Sequence, residues 1–454
     1  MKRFDFSKVL FYSVLAGGIV GTAFVVGLYS GVRKNGLFVA VANIKDTVET
    51  SVKTLVGEAS TLTGRQPRHF LQPSRYTRDG VTVNDAANDQ SDLILISGFA
   101  ENTNELRLIR RNGEVVARWP VEYSKIFPNP THFPDDDAPT TDWNVDTHGA
   151  LTLPDGSVVF NFEWSGLVKL DRCGEVVWTV PRQTHHSVER AESGGFWVPG
   201  RRTVTSSASP FPPFETPFKE DTILHISDDG RVLSEVSIPG ILYKSGFSAL
   251  ITAGQRFRPG MEWDHELMHV NKVQELPSNL AGDFPMFAAG DLLISSRDQN
   301  LVMVVDATGA TVKWSQIGPW LRQHDPEFKP GGRLVIFNNN TYLTTFEPGD
   351  VSPTKGPWVT NIMEVDPKTG EHRVLFGEKQ GQEMLTVIRG KIDLTRRGGM
   401  LITEFEGGRV LEIDATGKIV WEYVRHYNAE TVAEITEARV YPADYFTVQD
   451  WTCK

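Results

Sequence analysis

The chain has 454 residues, 40% of them hydrophobic and 23% charged, with a formal net charge of -11. That is ordinary globular composition with room for a large core and one to three domains, and the acidic balance argues against a nucleic-acid partner. Its two cysteines, Cys173 and Cys453, are far apart and have no metal-type spacing, and an oxidising compartment would leave pairing open to them.

The N-terminus differs from the rest. Val9 to Val32 is 24 residues without a charge, enough to span a bilayer with some tilt. Lys2, Arg3 and Lys8 precede it, and Arg33 and Lys34 follow, so the charge bias is slight and favours a cytoplasmic N-terminus. A signal peptide cleaved near "VAVA" at 39–42 is the alternative, but the run is long for that and two cations separate it from the site. The expected domains are an anchor over 1–34, a short helix (40–62) and linker within 35–85, and one large domain over 86–454.

From residue 90 onward one pattern returns: an alternating apolar strand, a polar turn with Gly, and a second strand often ending in Trp. The copies are "LRLIRRNGEVVARW", "LVKLDRCGEVVWTV", "ILHISDDGRVLSEV", "VMVVDATGATVKWS", "IMEVDPKTGEHRVLF" and "VLEIDATGKIVWEY", with turn glycines at 113, 174, 230, 309, 370 and 417. Each copy reads as a hairpin. Six copies with a second strand pair upstream predict an all-β fold, a six-bladed β-propeller behind the N-terminal transmembrane helix, its ring closed by the C-terminal "ARVYPADYF".

The upstream strands carry histidine in one register. His148 to Gly156, His186 to Gly194 and His324 to Gly332 are each 8 residues, and His269 begins a copy whose turn is lengthened by an insertion. The matching place in the last blade is near Lys391. First strands of propeller blades line the central channel, so the four histidines are expected to converge there. The second strands add Arg297, with Glu163, Arg201 or Arg202, and Asn338 or Asn339 at corresponding places. Imidazoles at an axis suit a metal or, as nucleophile and proton carrier, an oxyanion. Arg297 separates the two, because a cation beside a divalent metal is unfavourable and beside a sulfate or phosphate is useful.

At this point the residues resemble a known family. "WDHELMHVNKV" at 263–273, "LLISSRDQNLVMVVD" at 292–306, "HDPEFKPGGRLVIFNNN" at 324–340 and "THHSV" at 184–188 look like the motifs of bacterial arylsulfate sulfotransferases, over roughly 140 to 425. The resemblance implies a six-bladed, mostly periplasmic propeller that moves a sulfuryl group from an aryl sulfate to a phenol through a sulfohistidine, without cofactor or metal. Carried over by motif, His324 matches the sulfated histidine, His269 and His186 the second and third active-site histidines, and Arg297 the arginine that holds the sulfuryl oxygens. His148, His185, Asn271 and Asn338 are the candidate substrate-binding residues. Two departures stand out: Phe337-Asn338-Asn339-Asn340 replaces a Phe-Asp-Asn-Gly pattern, and an apparent anchor replaces a folded N-terminal β domain. The expected setting is the inner membrane, single-pass, with the propeller in the periplasm. The competing readings are an inactive propeller serving as a scaffold for a membrane-protein partner, and a four-histidine metalloenzyme.

Overall fold

The computed structural model describes residues 6–33, 70–85, 90–132, 139, 142, 145–205, 216–252, 266–341 and 358–453. The expected helix over 40–62 lies outside these. Phe6–Arg33 is one 28-residue helix, with Tyr12, Val14, Val20 and Phe24 among its exposed apolar side chains. Among the described residues no helix is long and apolar enough to cross a membrane. Side chains of this helix are described only in short runs, 20–27 being the longest, so the anchor reading rests on the sequence.

The rest is a six-bladed β-propeller. Blades 2 to 6 each begin with their innermost strand, at Thr147–Thr152, Glu189–Arg190, Val270–Glu275, His324–Lys329 and Lys391–Leu394. Blade 1 has its second to fourth strands at Leu93–Ala100, Thr103–Arg110 and Val115–Val121, and takes its innermost strand from the C-terminus. That strand, Ile435–Tyr441, runs antiparallel to Leu93–Gly98 and closes the ring as expected. Six apolar cores fill the six interfaces between neighbouring blades. Leu95 and Trp119 meet Phe160 between blades 1 and 2, and Ile94 and Ile96 meet Leu401 and Trp421 where blade 1 meets blade 6.

The repeated Asp–Gly turns and tryptophans have one physical explanation. Asp171 Oδ1 accepts from the backbone N–H of Cys173 and Glu175, and Gly174 takes the positive φ of 91° that the turn needs. The backbone carbonyl of the same Asp171 then accepts from Trp119 Nε1 of the preceding blade at 3.0 Å. Trp178 repeats this on Asp228 and Trp421 on Arg111. These three outer-strand tryptophans thus tie their blades to the next turn.

The propeller starts earlier than residue 86. Leu71–Pro73 pairs with Thr431–Ala433, and Gly80–Asn84 adds a fifth strand to the outer edge of blade 6. Between them, Arg75 bonds Glu404 at 3.2 Å and the Tyr76 hydroxyl donates to Glu404 at 2.6 Å. The insertion after Glu275 packs Phe284 and Phe287 against Phe328, and its Asp283 accepts from Gly331 N–H at 2.8 Å. This contact lies at the far end of the inner strands from the histidines, so the insertion packs away from the histidine end.

Cys173 and Cys453 form a disulfide across 280 residues, with Cα atoms 5.6 Å apart. It fastens the C-terminal tail to blade 2, beside the edge-on packing of Trp451 against Trp119. Cys453→Ser should lower the unfolding free energy in denaturant titration by about 2–4 kcal/mol, by releasing a long loop in the unfolded chain. Unchanged stability would show that packing alone holds the tail.

Candidate active site

The histidines sit at the starts of inner strands, where blades 2 to 5 face the axis. His148 and His324 are within the first two residues of their strands, and His269 immediately precedes Val270–Glu275. His186 lies in the link between two short strand segments of blade 3 and takes a left-handed φ of 58°. His186 is the hub, with ring centroids 4.2 Å from His148, 4.9 Å from His269 and 5.9 Å from His324. All are buried, His269 most exposed at 7%. The convergence expected from the eight-residue register is what the fold produces.

Backbone strain concentrates here. Trp164, Asp325 and Arg389 also have positive φ, an arrangement that costs non-glycine residues on the order of 1–3 kcal/mol each. Gly149 shows the crowding: a Cβ there would sit 2.1 Å from the His186 carbonyl oxygen.

Each imidazole has a defined setting. His324 Nδ1 lies 2.7 Å from Asn339 Oδ1. The Asn339 amide orientation is set by its Nδ2, which donates to the carbonyls of Thr386 and Arg389 at 3.0 and 2.8 Å. His324 therefore carries its proton on Nδ1, and its Nε2 lone pair is buried with no hydrogen-bond partner among the described residues. His269 Nδ1 is 3.1 Å from both Glu266 oxygens, and its Nε2 is 3.2 Å from His186 Nε2. His186 Nδ1 in turn is 2.6 Å from His185 Nδ1. His185, which breaks the register, is nevertheless in the cluster, stacked at 3.7 Å on Trp164. His148 faces Glu163 at 3.6 Å. Glu163 is ion-paired with Arg389, which also donates to Asp146 at 2.5 Å.

Burial is the main cause that drives the histidine pKa values down. His185, His186, His269 and His324 lie well below the usual range, and His148 is lowered to about 4. Arg297 is the largest charge acting on His269 and His324. The rings are thus neutral at physiological pH. Burial opposes ionisation of Glu163, but Arg389 and His148 hold its carboxyl well below the ordinary range. Burial pushes Glu266 up, against the pull of Arg297 and Arg201.

Arg297 stands beside the cluster, its backbone N–H bonded to the His269 carbonyl at 2.9 Å and its Nε 3.1 Å from Asp298. Arg201 lies over the outer face of Trp164 at 3.7 Å. Asn271 bonds the Gln323 carbonyl at 2.8 Å and so supports the backbone leading into His324. Asn338 needs correcting. Its side chain is committed to Leu321 N–H and Asn361, while the neighbouring Asn339 reaches the histidine. Sequence reasoning missed Glu266, Trp164 and Arg389. Of these, only Glu266 carried a usable signal, three residues before His269 within "HELMH".

Three residues below the histidine layer runs a layer of charge. Lys272 Nζ lies 2.7 Å from Glu189, 3.0 Å from Asp325 and 2.6 Å from Glu327. Lys391 and Arg439 continue it through Asp325, Glu437 and Glu189. Among the described residues, two groups of side chains have donor atoms close enough together to hold a metal: His148, Glu163 and His186, and Glu189, Asp325 and Glu327. Lys272 already sits within the second, and the Arg389 guanidinium is bonded to Glu163 in the first. Both donor sets therefore include a carboxylate already neutralised by a fixed cation, which disfavours a divalent ion.

A family model described as Arylsulfotransferase (ASST) matches residues 149–426. A search of curated proteins finds no match. Among solved structures, a protein of unknown function from Bacteroides caccae is 13% identical over 77% of this chain and 98% of that chain, with a TM-score of 0.47. The Neurospora crassa Pan2 WD40 domain is 9% identical over 76% of each chain, with a TM-score of 0.38. BamB from Moraxella catarrhalis is 13% identical over 78% of this chain and 76% of that chain, with a TM-score of 0.30. None of the three bears on function.

The buried neutral state of His148 has a measurable consequence. An unfolded histidine titrates near about 6.5, whereas folded His148 titrates at about 4. Between those values the unfolded chain holds the extra proton. The stability that this site contributes is complete above the upper value and is lost as pH falls toward the lower one. His148→Gln removes that dependence. The difference in unfolding free energy between variant and wild type should change by about 1.4 kcal/mol per pH unit across the window, in the variant's favour on acidification. A difference that stays flat between pH 7 and 5 would contradict a neutral, buried His148.

Proposed function

Because the chain belongs to the arylsulfotransferase (ASST) family, we propose that it moves a sulfuryl group from an aryl sulfate to a phenol through a sulfohistidine at His324. The observation that carries this reading is the His324 ring itself. Asn339 Oδ1 accepts a hydrogen bond from the Nδ1–H, and Nε2 is left neutral, buried and without a hydrogen-bond partner among the described residues. A buried lone pair without a partner is costly unless a ligand meets it.

The step follows from that geometry. His324 Nε2 attacks sulfur, the N–S bond forms, and the S–O bond breaks with its electron pair on the aryl oxygen. The fixed positive charge of Arg297 neutralises the sulfuryl oxygens without a proton transfer. Both nitrogens of His269 are already bonded, one to Glu266 and one to His186. We therefore place His269 and His186 on the proton side of the reaction. An acceptor phenol then reverses the sequence. With the rings held neutral by burial, the nucleophile is available without a general base.

His324→Asn keeps a polar side chain and removes the nucleophile. Turnover of a panel of aryl sulfates with phenol acceptors should vanish while circular dichroism is unchanged. Arg297→Gln should cost about a hundred- to a thousandfold in kcat. Full turnover by His324→Asn would end the assignment.

Location is part of the same reading. The Cys173–Cys453 disulfide favours an oxidising compartment. The uncharged Val9–Val32 run would hold the propeller at the periplasmic face of the inner membrane. Protease added to spheroplasts should digest the propeller, and full protection would contradict this side.

A further inference from the structure

We propose that Glu266 is the proton store of the transfer, joined to the leaving oxygen by a relay through His269, His186 and His185; this rests on the sulfuryl-transfer reading above. The aryl oxygen that departs in the first half-reaction needs a proton, and the phenol that attacks in the second must lose one. A site that alternates between donor and acceptor has to keep that proton in between.

The structure contains one continuous path for it. Glu266 Oε1 and Oε2 are each 3.1 Å from His269 Nδ1, His269 Nε2 is 3.2 Å from His186 Nε2, and His186 Nδ1 is 2.6 Å from His185 Nδ1. The last nitrogen, His185 Nε2, is buried and has no hydrogen-bond partner among the described residues. Each nitrogen–nitrogen contact holds a single proton, so the direction of one bond dictates the next. Two arrangements result. In the loaded one Glu266 is protonated and donates to His269, every ring donates onward, and His185 carries a proton on Nε2. In the empty one Glu266 is a carboxylate, every bond is reversed, and His185 Nε2 has a free lone pair.

Every ring is neutral in both arrangements. The relay works by exchange of tautomers and never needs an imidazolium, which suits rings that burial keeps from charging. Glu266 has the matching property, since burial raises its affinity for a proton. The other candidates fail. Glu163 is held ionised by Arg389. His148 packs on His186 at 4.2 Å with its Nδ1 turned to Glu163 at 3.6 Å, and among the described residues neither nitrogen bonds a ring of the relay, so the path does not branch there. The Nδ1 proton of His324 goes to an amide oxygen that cannot take it.

The balance is complete. As the S–O bond breaks, the aryl oxygen takes the His185 Nε2 proton. His185 Nδ1 takes the proton of His186 Nδ1, His186 Nε2 takes that of His269 Nε2, and His269 Nδ1 takes that of Glu266. The phenol leaves neutral, the sulfuryl group is on His324, and Glu266 is ionised. The acceptor phenol returns the proton along the same path as its oxygen attacks sulfur.

The test compares two donors in the first turnover, measured by rapid quench. Phenyl sulfate expels a strongly basic phenolate and needs the proton, whereas 4-nitrophenyl sulfate expels a weakly basic one and needs it less. Glu266→Gln retains a hydrogen bond to His269 but cannot store a proton. It should slow phenol release from phenyl sulfate by roughly a hundredfold more than nitrophenol release. Equal slowing of both donors would reduce Glu266 to a structural support and overturn the relay. Should Glu266→Gln not fold, the wild type decides. Its solvent deuterium isotope effect should be larger with phenyl sulfate, and equal effects would overturn the relay. A wild type that releases no phenol from either donor overturns the sulfohistidine reading itself, a different result from equal slowing.

Discussion

The Lys272 ammonium is the contact on which the geometry of the site depends. It lies between Glu189, Asp325 and Glu327, which come from the blades on either side of its own. Lys272 is three residues after His269, Glu189 three after His186, and Glu327 three after His324. The ion pairs therefore tie together the same three inner strands that present the three histidines, one layer below them. Burial works against the charges, but Arg439 and Lys272 hold Glu189 down at about 2. Glu327 is instead pushed up to about 8 and Asp393 to about 7, chiefly by burial. Removing one member of such a network leaves an uncompensated buried charge, which typically costs about 3–5 kcal/mol. The floor of the channel is thus rigid, and the strained histidine layer above it is over-determined.

Much of this was legible in the sequence because it is periodic. Six hairpins in phase gave the blades, and the eight-residue step from histidine to glycine gave the inner strands of blades 2, 3 and 5. Lys391 was also visible as the counterpart of the histidines in the last blade, and it indeed faces the axis, bonded to Asp325 at 3.3 Å. The ring closure by the C-terminal strand followed from the need to leave no open sheet edge.

What stayed hidden depends on backbone that has no period. Trp164 and Arg389 have left-handed φ values next to strand ends, where side-chain direction departs from alternation. Asn338 and Asn339 differ by one residue, and one residue reverses the face. Asn338 is the last residue of its strand and pairs with Asn361, so its neighbour is the one that turns toward His324. The stretch before residue 86 read as a linker because its strands are short and polar. Their partners, Thr431–Ala433 and Ile419–Val424, lie some 340 residues away, beyond any local signal.

The electrostatics separate an anion site from a metal site. The Arg297 guanidinium stands beside rings that are neutral because they are buried, while Arg389 is committed to Glu163 and Asp146; fixed cations at this place disfavour a divalent ion and suit the anionic group of the proposed transfer. The central claim is that the unbonded Nε2 of His324 is the atom that accepts the group. Mixing the wild type with an aryl sulfate and no acceptor, then measuring the intact mass and mapping the peptides, tests it most directly. The account predicts one added SO3 per chain, carried by His324. An unmodified chain, or an adduct on another residue, would contradict it.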